Sequence, residues 1–185
     1  PNTRLFLPKD NIQEAQLIQH LDYVPISHLQ DLKKNHLSVV SSTFPKWSKP
    51  TKKASPYHHI SGQYKAKRAL QIACAGQHNI LLIGPPGSGK TMLTQEVQHL
   101  IPSLSYEEAE EVYAIQSIVH PLHDSEQFTL DRPIRQPHHT ISYAGLVGGG
   151  RPPKPGEITL AHRGVLILDE FPEFSRQVLE SLRQP

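Results

Sequence analysis

A chain of 185 residues holds one ordinary domain and a piece of a second. Its 19 basic and 17 acidic residues leave a net charge of +2, so bulk charge gives no nucleic-acid footprint and any such surface must be local. A lone cysteine, Cys74, excludes an internal disulfide and fits a reducing, cytoplasmic compartment, and no apolar run is long enough to cross a bilayer.

The chain begins at Pro1 and ends inside a helical pattern at Pro185, which gives the expectation of a piece cut from a longer protein. Residues 1–42 read as a first unit of β-α-β-α order. Leu5–Pro8 is strand-like. Asn11 is placed to cap a helix, with Glu14 at its third position as in a capping box. Tyr23–Ile26 is extended, and Ser27 precedes Leu29, Leu32 and Leu37 at helical spacing. This unit is too small to bury a sound core alone, and it holds no nucleophile–base pair. Residues 43–56 form a linker. Pro45, Pro50 and Pro56 break regular structure, and Lys46, Lys49, Lys52 and Lys53 keep it solvated, more simply as a hinge than as a strap on nucleic acid.

The second unit starts at Tyr57. Ser61-Gly62-Gln63 leads a helix whose apolar side is Ala66, Ala69, Leu70, Ile72 and Ala73, with Lys65, Lys67 and Arg68 facing out and Gly76 near its end. Cys74, among alanines, reads as an inert core residue. The apolar strand Asn79–Ile83 then runs into Gly84-Pro85-Pro86-Gly87-Ser88-Gly89-Lys90-Thr91, and a helix follows from Met92 to Leu100. This is the G-x-x-x-x-G-K-[ST] phosphate loop in its strand–loop–helix setting. Its glycines let backbone N–H groups approach phosphate oxygens, and the following helix adds the positive end of its dipole. Lys90 is assigned to the β- and γ-phosphates of ATP, and the Thr91 hydroxyl to Mg²⁺.

Ser105 caps a helix starting at Tyr106, whose glutamates complement the helix dipole; adjacent acids point to different sides and make no metal cage. His120, His123 and Asp124 lack the four ligands at recurring spacing that zinc requires. Phe128–Thr140 is extended with turns, and Gly145–Gly156 is a hairpin or projecting loop. Val165–Leu168 is apolar throughout, as in a strand of a parallel sheet buried on both faces, and it ends in Asp169-Glu170. In this position Asp169 serves the Mg²⁺ shell and Glu170 polarises the attacking water, a division of labour that suffices because phosphoryl transfer needs mainly positioning and charge stabilisation.

Arg132–Ser142, Gly148-Gly149-Gly150, Pro155–Ile158 and Leu160–Glu170 together closely resemble the magnesium-chelatase-like AAA+ ATPases, best their bacterial ComM/YifB branch. The resemblance is strong over residues 57–185. Residues 1–42 more weakly resemble the end of that branch's amino-terminal Lon-protease-like α+β domain. The implied fold is a P-loop α/β core with a parallel sheet and a helix/hairpin insert, incomplete at residue 185. The implied function is that of a ring-forming, usually hexameric motor acting in DNA branch migration during natural transformation. The alternatives are a magnesium chelatase motor subunit and a truncated, non-catalytic remnant. By the same resemblance Gly62 and Gln63 lie where adenine is cradled, and Arg135, His138, His139, Arg151 and Lys154 are candidates for DNA phosphates, with folding of the insert or contact with a neighbouring subunit as the competing role. The sensor strand and arginine finger are expected beyond Pro185. Without that strand, Ile80–Ile83 and Val165–Leu168 are not expected to be neighbours, and this stretch alone is expected to turn over poorly.

Overall fold

The computed structural model describes residues 4–12, 15, 18, 22–33, 38–41, 48, 57–119 and 128–183. By contact they divide into two units, Pro1–Lys49 with Tyr106–Thr129, and Pro50–Ser105 with Leu130–Pro185. Residues 106–129 therefore group with the amino-terminal part of the chain.

In the first unit, β1 (Arg4–Pro8) and β2 (Asp22–Ile26) pair in parallel with Phe6 opposite Val24. A short β3 (Val40–Ser41) adds antiparallel to the other edge of β2. Tyr23 and Val24 are both fully buried. Adjacent strand residues point to opposite faces, so both faces of this middle strand are covered. The Tyr23 hydroxyl donates to the Ile18 carbonyl at 2.5 Å, and burial, with the Glu110 charge, pushes its pKa up. The helix Tyr106–Ser117 contributes buried Ala109 and Val112, three apart on one face.

Two expected helices are shorter than the spacing implies. Lys9–Asn11 is a 3₁₀ turn with Asn11 inside it rather than capping it, and Glu14 lies outside the described residues. Leu29–Lys33 is likewise a 3₁₀ turn with Leu29 and Leu32 exposed. There the Asp31 carboxylate accepts the N–H groups of Ser27 and His28 at 3.1 and 2.9 Å, which fastens the turn to the chain before it without any buried face. Of the linker only Ser48 is described; the set His120, His123 and Asp124 also lies outside the described residues.

The second unit contains α1 (Tyr64–Gly76), α2 (Lys90–Gln95), α3 (Val97–Leu100), β4 (Ile134–Arg135), α5 (Tyr143–Val147), β5 (Gly148–Gly149), β6 (Lys154–Pro155), α6 (Glu157–Leu160), β7 (Val165–Leu166) and α7 (Arg176–Ser181). Here α4 is the helix Tyr106–Ser117 already described. Among the described residues the unit has two apolar clusters. Ile60, Leu70, Cys74, Leu93 and Val97 form one, with Leu82 and Val165 packed against it. Leu146, Phe174 and Val178 form the other, with Leu166 and Leu168 against it. The β7 segment thus sends alternate side chains into different clusters, as period-two geometry dictates. Its residues are half-buried rather than fully buried as expected.

The sheet is smaller than the sequence implies. β4 and β7 pair in parallel, Ile134 with Val165 and Arg135 with Leu166. Asn79–Ile83 makes no strand ladder with the described residues. Leu82 alone packs inward, while Leu81 and Ile83 are 70% and 88% exposed. An apolar run becomes a strand only when a neighbour takes its backbone groups, and no described strand lies beside this one. The glycine-rich insert is a hairpin, with Gly148 opposite Pro155 and Gly149 opposite Lys154. Lys67, expected to face out, instead donates to the Ile60 carbonyl and lies 5.5 Å above the Tyr57 ring.

The start of β7 depends on close backbone approach. A Cβ at Gly164 would fall 2.0 Å from the Pro133 carbonyl oxygen, which accepts the Val165 N–H at 2.9 Å. Gly164→Ala is expected to destabilise the protein by about 1–3 kcal/mol, the usual range for overpacking. The thermal midpoint measures this; an unchanged midpoint would show that β4 yields without loss.

Candidate functional site

Gly87 and Gly89 adopt left-handed backbone with φ of 74° and 84°. Space around both is open, so the requirement for glycine here is conformational rather than steric. The loop then enters α2 at Lys90. Glu96 keeps right-handed helical geometry between α2 and α3, so the helix runs on nearly unbroken to Leu100. The Lys90 ammonium donates to the carbonyls of Gly84 and Pro85 at 2.8 and 3.0 Å, folded over the loop that precedes it. Gln63, itself left-handed after left-handed Gly62, donates its side-chain amide to the Ser88 carbonyl at 2.9 Å. This ties the start of α1 to the middle of the loop.

Buried Glu96 secures the same turn from behind. One of its oxygens accepts the Tyr57 N–H at 3.1 Å, and the other lies 3.3 Å from His59 Nε2. Cys74 packs in the cluster below, and burial pushes its thiol pKa up, away from the reactive thiolate.

Asp169 and Glu170 follow β7 where the chain turns into the 3₁₀ segment Phe171–Glu173. The Thr91 hydroxyl donates to Asp169 Oδ2 at 3.1 Å, across 78 residues of chain. Asp169 Oδ1 accepts the Glu170 N–H at 3.0 Å, and Glu170 sits in left-handed backbone with φ of 54°. Its carboxylate Oε2 lies 3.0 Å from His139 Nδ1. A hydroxyl and a carboxylate in contact are hard oxygen donors of the kind magnesium takes together with water and phosphate oxygens. The positive-φ glycines leave the loop backbone uncovered. The residues present fit a magnesium-bound nucleoside triphosphate. Among the described residues no three His, Cys, Asp or Glu gather as an all-protein metal cage.

A family model described as magnesium chelatase, subunit ChlI, matches residues 57–185. The chain belongs to that family. The family carries the AAA+ P-loop fold. Relatives in the ComM/YifB branch align along almost the whole chain. The uncharacterized protein YifB of Escherichia coli (strain K12) is 44% identical over 184 residues, 98% of this chain and 36% of its own length. Competence protein ComM of Haemophilus influenzae is 43% identical over 193 residues, 98% of this chain and 37% of its own length. An uncharacterized protein of Mycobacterium bovis is 38% identical over 182 residues, 97% of this chain and 36% of its own length. The chain thus spans about a third of the length of these curated relatives.

Within this chelatase-family domain, the five residues named as candidates for DNA part into two groups. Arg135 is committed to Glu157 through two hydrogen bonds, Nε to Oε2 at 2.6 Å and Nη2 to Oε1 at 2.8 Å. His139 faces Glu170, and His138 pairs with Thr140 Oγ1 at 3.0 Å. Arg151 and Lys154 are exposed at the β5–β6 hairpin. Sequence reading missed the Arg135–Glu157 pair, the His139–Glu170 contact and the Glu96 latch. The first two join residues 22 and 31 positions apart, beyond any local spacing rule. That Glu96 is the one acid between Lys90 and Leu100 was the available signal for it. No helix among the described residues is long and apolar enough to cross a membrane.

The hydrogen bonds from Arg135 hold the Glu157 carboxyl below the usual carboxylate range. A carboxylate whose folded pKa is depressed contributes stability above its unfolded pKa and loses it as pH falls through the folded value. The thermal midpoint is therefore expected to drop as pH is lowered through and below the usual carboxylate range, and Glu157→Gln is expected to flatten that segment of the profile. Both groups are partly exposed, so salt should shrink the difference. Parallel profiles for the two proteins would show that the pair carries no pH-dependent stability.

Proposed function

We propose that this chain is the nucleotide-binding part of an AAA+ ATPase of the ComM type, a cytoplasmic motor that drives DNA branch migration in natural transformation. The observation that carries the reading is the 3.1 Å contact between Thr91 and Asp169, which joins the phosphate loop to the acids that follow the apolar β7 segment. In this proposal residues 1–42 end a Lon-like domain, 43–56 link the domains, and 57–185 open the ATPase domain, which works in a hexameric ring. The competence-protein relative supports the DNA role over the chelatase motor, and the family description alone supports the latter.

Each residue then has a physical task. The backbone from Gly84 to Gly89, with Pro85, Pro86, Gly87 and Ser88 between them, wraps the phosphates. Lys90 exchanges its two carbonyl partners for phosphate oxygens, trading neutral acceptors for charged ones. Gly62 and Gln63 set the wall beside the loop where the base lies. Thr91 and Asp169 hold magnesium, which when bound neutralises charge on the phosphates. Glu170 accepts a proton from, and orients, the attacking water. At the hairpin, Arg151 and Lys154 meet DNA phosphates without reading sequence. Arg135 contributes to folding the insert, because displacing it would strand the Glu157 carboxylate.

Nucleotide binding and hydrolysis by the full-length protein test this. Lys90→Ala is expected to abolish ATP binding. Glu170→Gln is expected to keep binding and lower hydrolysis by about 10²–10³-fold, the scale of losing one group matched to the transition state. Wild-type hydrolysis by Glu170→Gln would overturn the role given to Glu170. Joint replacement of Arg151 and Lys154 by Ala is expected to weaken DNA binding for all sequences and to reduce the salt slope by about 1–2. A protein that inserts magnesium into a porphyrin with partner subunits, and moves no four-way DNA junction, would be a chelatase motor instead.

A further inference from the structure

We propose that His139 is a positioning residue for the Glu170 carboxylate, and so governs the rate of hydrolysis rather than the affinity for nucleotide. The inference rests on the ATPase reading above. His139 Nδ1 lies 3.0 Å from Glu170 Oε2. A carboxylate accepts and cannot donate, so the shared proton sits on the imidazole Nδ1.

Glu170 needs such a hold. Its side chain is 64% exposed, and its backbone is in the left-handed region. An exposed glutamate has many rotamers, and a group meant to meet one water must be confined to one of them. Asp169 cannot supply the restraint: its carboxylate, which accepts the Glu170 N–H and the Thr91 hydroxyl, has no proton to donate to a second carboxylate. Among the described residues His139 is the side chain found on the Glu170 carboxylate.

His139 is itself well fixed. Its ring lies over that of His138 with centroids 4.0 Å apart, and it meets the buried Phe174 ring edge-on at 6.5 Å. Phe174 belongs to the cluster that also takes Leu166 and Leu168 from the β7 segment. The backbone supplies the rest. Ile134 pairs with Val165 and Arg135 with Leu166, an offset of 31 residues, and the same offset joins His139 to Glu170. The two chains leave the ladder in step, so the parallel register delivers the imidazole to the glutamate. The bidentate Arg135–Glu157 pair braces the segment one strand residue after Ile134.

The full-length protein tests this with two separate readouts, kcat for ATP hydrolysis and Kd for a fluorescent ATP analogue with magnesium. His139→Ala is expected to lower kcat about ten- to a hundredfold and to leave Kd within about twofold, as a misplaced catalytic group does. His139→Asn presents an amide N–H near the position of Nδ1–H and is expected to recover most of the loss. Added to Glu170→Gln, His139→Ala is expected to cause no further loss in kcat, because its target is gone. Unchanged or raised kcat in His139→Ala would overturn the proposal. Equal losses of kcat and affinity in both His139 variants would also overturn it, in favour of a purely structural role. Wild-type protein that neither binds nor hydrolyses ATP would overturn the ATPase reading and this inference together. Hydrolysis that is abolished by Glu170→Gln and indifferent to His139→Ala would overturn this inference alone.

Discussion

Two residues of parallel pairing between β4 and β7 carry the rest of the site. Through them the segment after Arg135 and the segment after Leu166 run side by side. The ladder continues one bond further, from the Ile167 N–H to the Arg135 carbonyl at 2.8 Å. Beyond that point side chains take over from the backbone. The carboxylate of Asp169 reaches Thr91 on one side, and that of Glu170 reaches His139 on the other. Without a fixed register neither acid would have a fixed address.

The two apolar clusters serve that register from opposite faces. Val165 leans on the cluster that supports the helix after the phosphate loop, and Leu166 and Leu168 lean on the cluster around Phe174. A shift of one residue would swap those faces and carry Asp169 away from Thr91. The same short strand therefore couples packing to chemistry: what keeps its side chains sorted also keeps a hydroxyl and a carboxylate within hydrogen-bond reach.

The parts legible in the sequence were those written locally. The phosphate loop announces itself by glycine spacing and by Lys90-Thr91, and Asp169-Glu170 by an apolar run that ends in acids. The β1 and β2 segments were legible because Leu7, Tyr23 and Val24 sit in short apolar runs beside Pro8 and Pro25. Helical spacing misled at Leu29 and Leu32, where a carboxylate bonded to backbone made a tight turn instead of a buried face. Lys67 misled for another reason. Its charge suggests solvent, but its ammonium lies over the Tyr57 ring and finds a carbonyl. Long-range pairs such as Arg135 with Glu157 had no signature in a single chain, since nothing in either residue's neighbours specifies the other.

The exposed run at Leu81 and Ile83 has a consequence for handling this 185-residue chain by itself. Backbone that no described strand pairs, with apolar side chains turned outward, is a template for any β segment that drifts near it, including the same run on another molecule. Self-association through this ribbon would rise with concentration and would hide under the name of oligomerisation.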